Sequence, residues 1–280
     1  MLILSYFCIA LSAFVSIFSK KTPLILSLIL MSLVFGFLGS VIDEVGILSL
    51  VVFYVLCSLY FDDTRSSFVR LISAILGAVL LTLLCFHKIP GFDNYFLGNF
   101  KFSDSSYALS LYLNYDKISA AMVLIATSGL YKEEKFPSVK SLLTSSKYLL
   151  YCVSIILVPA YSFGYIDFDP KFPEISLFWV LNNLIFVAFA EEVIFRGVLQ
   201  NQLKSITSYD MHIYISALIF GILHFHGGLF YVSLSVIAGI FYGFAYDRTH
   251  QRLTSSIFVH FWVNGLHFFL FSYPFLINFR

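Results

Sequence analysis

Apolar runs follow one another along this chain with little polar sequence between them, and that alternation restricts it to one solvent. They fall at about residues 2–18, 23–39, 45–61, 68–86, 118–131, 148–165, 175–200, 211–225, 229–246 and 253–271. A helix needs about 20 apolar residues to cross a hydrocarbon core roughly 30 Å thick. Within lipid, only helices and closed barrels satisfy every backbone N–H and C=O, and the runs lack the period-two alternation of a barrel strand. The expected fold is therefore all-α: a polytopic integral membrane helix bundle of eight to ten transmembrane helices. The lower figure allows for the short runs at 118–131 and 211–225. Composition agrees, since 59% hydrophobic and 12% charged residues leave more apolar surface than one soluble core can hide. Disorder and a large soluble catalytic domain are both excluded. A formal charge of +1 without a long basic run points to the lipid bilayer as partner and to no nucleic acid.

The first run has no basic stretch before it, Lys20 and Lys21 coming after, so it is expected to be a retained helix rather than a cleaved signal. If those lysines face the cytoplasm, Arg65, Lys132, Lys135, Lys140, Lys147, Lys204, Arg248 and Arg252 share their side. Only Lys88, Lys101, Lys117, Lys171 and Arg280 lie opposite, which follows the positive-inside rule and puts both termini outside. Cys8, Cys57, Cys85 and Cys152 all sit in apolar runs and are expected to be small core residues. Residues 87–117 form the one long polar insertion, expected on the outer side. Its rings Phe92, Tyr95, Phe96, Phe100, Phe102 and Tyr107 suit a loop lying at the headgroup level. The expected organisation is an N-terminal membrane region, residues 1–131, carrying that loop, followed by a catalytic membrane core at 148–272.

Ionisable groups inside spans are costly and by default mark function. Here they gather late in the chain. One apolar helix carries Glu191, Glu192 and Arg196. Glu192 and Arg196, four apart, share a face with Cβ atoms about 6 Å apart, while Glu191 is rotated about 100° away. Arg196 can thus neutralise one carboxylate and leave the other available. The next span carries Phe220 and His224, and the last carries His260 and Asn264, again four apart. His260 and Asn264 can then donate to one acceptor. Asn182 and Asn183, two turns and more before the glutamates, are expected to bond across helices or polarise the site. His87, His212, His226 and His250 read as interfacial, His267 as a satisfied core histidine, and Phe195 and Phe220 as packing residues.

Glu191-Glu192-x-x-x-Arg196, Phe220-x-x-x-His224 and His260-x-x-x-Asn264, in that order over three polar-bearing spans, resemble the CPBP (CAAX protease and bacteriocin-processing, or Abi) intramembrane proteases. The resemblance covers about residues 148–271. It implies an intramembrane endopeptidase in which Glu191 and His224 orient and deprotonate a water. It also implies that His260 and Asn264 bind the oxyanion, with Glu192 and Arg196 in a supporting role. The implied partner is a membrane-associated peptide or protein substrate: prenylated proteins for the eukaryotic branch, peptides or membrane-anchored precursors for bacterial members. No cofactor is then required. Zinc is possible on the same residues, because Glu191, His224 and His260 make a His₂Glu set, although HExxH is absent. Ser216, Ser255 and Ser256 lack a GxSxG elbow or a lysine partner. A proton-coupled transporter would use similar groups, but no inverted repeat is visible, and a non-proteolytic immunity protein on the same scaffold is a further alternative. The small size favours a bacterial inner membrane. Glu191 lies about 16 residues, roughly 24 Å, into a helix entering from outside, and His260 about 10 Å below the inner surface, so a cavity opening inward is expected. His224, in a short span, needs a shorter or tilted helix to reach them.

Overall fold

Capping and small-residue contacts set where the helices begin and how closely they pack. The computed structural model describes residues 1–18, 22–129 and 137–279. Lys20, Lys21, Tyr131, Lys132, Lys135 and Arg280, which bear on the expected orientation and on one boundary, lie outside the described residues. The chain divides into two compact units, Met1–Phe96 with Tyr112–Lys135 and Leu97–Leu111 with Phe136–Arg280.

In the first unit α1 (Leu2–Phe18) packs on α2 (Thr22–Leu38), with small polar residues at the contact. Ser32 Oγ, buried on α2, bonds the Ser5 carbonyl at 2.7 Å, the kind of interhelical contact that holds helices together in lipid. Asp43 caps α3 (Glu44–Phe61) by accepting from the Val45 and Gly46 N–H groups, and Ser66 caps α4 (Ser67–Cys85); each relieves backbone donors left open at a helix start. The polar insertion is not a plain loop. It forms a two-stranded hairpin of β1 (Tyr95–Phe100) and β2 (Leu109–Leu113), leading into α5 (Tyr115–Ser128). At the hairpin base the Tyr6 hydroxyl accepts from Tyr95 N–H and donates to the Leu113 carbonyl.

The outer part of the hairpin belongs to the second unit, where Leu111 joins Trp179 and Phe268 in a buried cluster. Phe102 meets Phe268 edge-on at 4.9 Å. Removing side chains of this size from water is worth about 1.5–3 kcal/mol each, and Phe100 and Phe102 are partly buried against this cluster, whereas Tyr95, Phe96 and Tyr107 are exposed.

The helices of the second unit are α6 (Val139–Ser162), α7 (Ser176–Lys204), α8 (Met211–Ile222), α9 (Gly228–Asp247) and α10 (Leu253–Leu270). The all-α membrane bundle is present, but six helices among the described residues have full spanning length, fewer than the eight to ten expected. Leu2–Phe18 and Thr22–Leu38 have 17 residues each, about 26 Å. Helix α5 has 14. Helix α8 stops after 12 residues, about 18 Å, at the His-Phe-His-Gly-Gly turn.

Two devices bring the polar-bearing helices together. On α9, Gly239 and Gly243 leave room for neighbours: a Cβ on Gly239 would stand 3.0 Å from Ala217 Cα and 3.2 Å from Arg196 Nη2. At the other end, residues 167–171 run along the end of α10. Asp169 N–H bonds the Leu270 carbonyl at 2.9 Å, and Lys171 N–H the Phe269 carbonyl at 2.8 Å. The Lys171 ammonium reaches the Phe271 carbonyl, a cation at a helix C-terminus. Trp179 of α7 stacks on Phe268 of α10 at 3.9 Å, which holds α7 and α10 together.

Candidate active site

Helix α7 is wound irregularly where it carries charge. π-helical segments at Asn183–Phe189 and Val193–Gln200 flank a three-residue α stretch, Ala190–Glu192. Each π turn takes an extra residue and rotates the next part of the helix off the α register, a feature frequent at functional sites. Glu191 and Glu192 occupy the α stretch between them.

Glu192 and Arg196 form the pair read from their spacing, Nη1 to Oε1 at 2.9 Å, with both side chains fully buried. The same Oε1 also accepts from His260 Nδ1 at 2.8 Å. Arg196 gives its other nitrogen, Nη2, to the Gly239 carbonyl at 2.9 Å. Its guanidinium carbon lies 4.7 Å from the centre of the Phe220 ring and 5.2 Å from that of Tyr242, so the charge is met by a carboxylate, a carbonyl and two π faces. Glu192 therefore does more than hold Arg196: it also orients an imidazole from α10.

His260 stacks on Tyr242, ring centres 4.5 Å apart and planes at 16°. With Nδ1 on Glu192, its Nε2 stands 3.8 Å from Glu191 Oε2. One histidine thus lies between two carboxylates, bonded to the fully buried Glu192 and facing Glu191, which is also buried. Asn264, one turn further along α10, donates Nδ2–H to Asn183 Oδ1 at 2.9 Å. Each of the two is held by a different residue of α7, His260 by Glu192 and Asn264 by Asn183, because α7 runs alongside α10 and offers a polar group at each level.

His224 is not inside a helix. It lies in the turn beyond Ile222, with φ −93° and ψ 17°, two residues past the end of the short α8. Its Nδ1–H donates to the Phe220 carbonyl at 2.7 Å, which puts the imidazole lone pair on Nε2. The His224 ring lies 4.6 Å from Phe220 and 5.8 Å from Tyr231. Phe220 also meets His260 at 6.0 Å and Phe195 at 5.0 Å, and it is the packing centre where the three motifs converge.

The remaining polar residues have other occupations. Ser216 is buried and donates to the Phe195 carbonyl at 3.0 Å, and Ser256 to the Leu253 carbonyl at 3.1 Å. His267 Nε2 bonds the Ser272 carbonyl at 3.3 Å, as a core histidine should. Cys8, Cys57, Cys85 and Cys152 are free thiols. Asp210, His212 and Asp247 bring ligand atoms within 4.8 Å of one another. Lys204 and Arg248 already bind these carboxylates, Arg248 at 2.6 Å from Asp210 and 3.0 Å from Asp247, so the cluster is an ion-pair network joining the ends of three helices. Sequence reasoning left Gly239 and Tyr242 unassigned. The Gly239-x-x-x-Gly243 spacing, a small-residue contact motif, was the available signal.

Residues 173–266 match the family model described as type II CAAX prenyl endopeptidase, Rce1-like. That stretch contains Glu191, Glu192, Arg196, His224, His260 and Asn264. This region of the chain belongs to the CPBP, or CAAX protease, family. That match, confined to residues 173–266, supports a CAAX protease-type intramembrane endopeptidase at the level of the family. The match begins within the segment leading to α7, leaving α6 and the whole first unit outside it. No curated protein and no solved structure matches the chain.

Proposed function

We propose that Glu191 and His224 activate a water for hydrolysis of a peptide bond in a membrane-associated substrate, with His260 and Asn264 contacting the oxyanion. The observation that carries this reading is His260 held between Glu192 at 2.8 Å and Glu191 at 3.8 Å in a site where charge is otherwise buried and paired. In this scheme Glu191 accepts a proton as the water oxygen bonds to the scissile carbon. His260 in its imidazolium form gives Nδ1–H to Glu192 and Nε2–H to the oxyanion, assisted by the Asn264 amide. The C–N bond then breaks and the proton returns to the leaving amine. Preorganised donors of this kind are worth the most where water is excluded. Glu192 and Arg196 are positioning residues: they fix the face of the imidazole and balance charge.

A second reading draws support from the two imidazoles. His224 Nδ1 is on a carbonyl and His260 Nδ1 on a carboxylate, the outer-shell pattern of zinc-ligating histidines. Neutral imidazoles would then offer two Nε2 lone pairs beside Glu191, and a bound zinc would supply an acidified water. Chelation separates the two. Loss of cleavage on metal removal with recovery on added zinc selects the metal; insensitivity selects the glutamate scheme.

Candidate substrates are C-terminally prenylated proteins or membrane-anchored precursors, and the proposed location is a bacterial inner membrane with the site opening to the cytoplasm. The test is comparative peptidomics of membranes holding wild-type protein or Glu191→Gln, with cysteine-accessibility labelling near residue 191. Products absent from the variant support the reading. An unchanged peptide profile together with Glu191-dependent proton-coupled uptake would replace it with transport.

A further inference from the structure

Asn264 is half-buried and carries a carboxamide, a group that presents either N–H or C=O according to how its end is turned. An oxyanion needs the N–H end, so something must choose it. Asn264 gives one N–H to Asn183 Oδ1 at 2.9 Å, across 81 residues of sequence. Asn183 is buried, only 5% exposed, and opens the π segment Asn183–Phe189 that leads to Glu191. Among the described residues its own Nδ2 has no hydrogen-bond partner, so its side chain engages this neighbour through the acceptor end. The helices on either side of the bond are fixed independently: α7 and α10 are stacked through Trp179 and Phe268, and the end of α10 is tied by residues 167–171. The acceptor therefore holds a set position relative to Glu191.

We propose that Asn183 is a positioning residue for hydrolysis, its Oδ1 clamping the Asn264 carboxamide so that the second N–H is presented to the reacting carbonyl. This rests on the protease reading of the site. It places on α7 both the water-activating carboxylate and the group that orients the oxyanion donor, eight residues apart. A misaligned donor is costly, because catalytic geometry is lost over about 1 Å.

The test compares Asn183→Asp, which keeps an acceptor of the same shape, with Asn183→Leu, which removes it. The assay is cleavage of a substrate peptide found in the Glu191→Gln comparison, using full-length protein in micelles. Asn183→Leu should lower kcat by about a hundredfold with KM unchanged, and Asn183→Asp should recover most of that loss. A second readout needs no activity. In protein labelled with nitrogen-15 at asparagine, the Asn264 carboxamide signal, identified by its loss in Asn264→Ala, should shift in Asn183→Leu and return in Asn183→Asp. Wild-type kcat in Asn183→Leu, equal losses in both variants, or an Asn264 signal indifferent to residue 183 would each overturn the proposal. Should Glu191→Gln leave cleavage unchanged, the protease reading fails instead, and the Asn264 signal alone then decides the clamp.

Discussion

Replacing Arg196 by methionine tests the arrangement of buried charge most directly. The substitution keeps an extended side chain of similar reach, so the cavity left behind is small. It removes the 2.9 Å bond to Glu192, the 2.9 Å bond to the Gly239 carbonyl and the contacts with Phe220 and Tyr242. Glu192 is fully buried and keeps only His260 Nδ1 on the same Oε1. Breaking a buried pair from one side costs about 3–5 kcal/mol, and loss of desolvated cation–π contacts adds on the order of 1–2 kcal/mol. The double variant Glu192→Gln/Arg196→Met behaves differently, because the glutamine carbonyl still accepts from His260 and neither a lone carboxylate at 192 nor a lone guanidinium at 196 is left buried. It should recover about 2–3 kcal/mol of the summed single losses. The assay is equilibrium unfolding in mixed micelles with rising dodecyl sulfate fraction, read by tryptophan emission. Both tryptophans, buried Trp179 and exposed Trp262, lie in the second unit with the pair. Single losses that add in the double variant to within about 0.5 kcal/mol would show that Glu192 and Arg196 do not interact, and the charge balance ascribed to the site would fall with them.

Glu191→Gln and His224→Ala should each leave the unfolding midpoint near wild type while lowering cleavage by about 10²–10⁴-fold; a folded Glu191→Gln protein with full activity removes the general-base role. Tyr242→Phe should keep activity because the ring stacked on His260 at 4.5 Å remains, whereas Tyr242→Leu should lose it, and equal effects of the two would show that stacking is unimportant. Gly221→Ala should cost about 1–3 kcal/mol in the same unfolding assay, since the added Cβ would stand 2.2 Å from Val236 Cγ2 and 2.8 Å from Val236 N; an unchanged midpoint would mean that α8 and α9 are not held this closely.

The all-α class and the i,i+4 ion pair of Glu192 and Arg196 were legible in the sequence, because each depends on residues close together along the chain, whereas the number of helices of full spanning length was overestimated. Hydropathy over about 20 residues reports lipid exposure directly, and helical spacing brings residue 196 to residue 192 whatever surrounds them. The three motifs were legible for the same reason, each lying within one or two turns. What tertiary structure alone decided are the bonds between those segments: Arg196 to Gly239 across 43 residues, Glu192 to His260 across 68 and Asn183 to Asn264 across 81. Local periodicity carries no information about which face of one helix meets another. That is why Glu192 read as a partner for Arg196 alone and why Tyr242 and Gly239, on a helix without a polar motif, went unassigned. The same limit applied to Phe102 and Leu111, whose packing against Trp179 and Phe268 depends on how a hairpin folds back, and to His224, which lies outside its helix because α8 ends two residues before it.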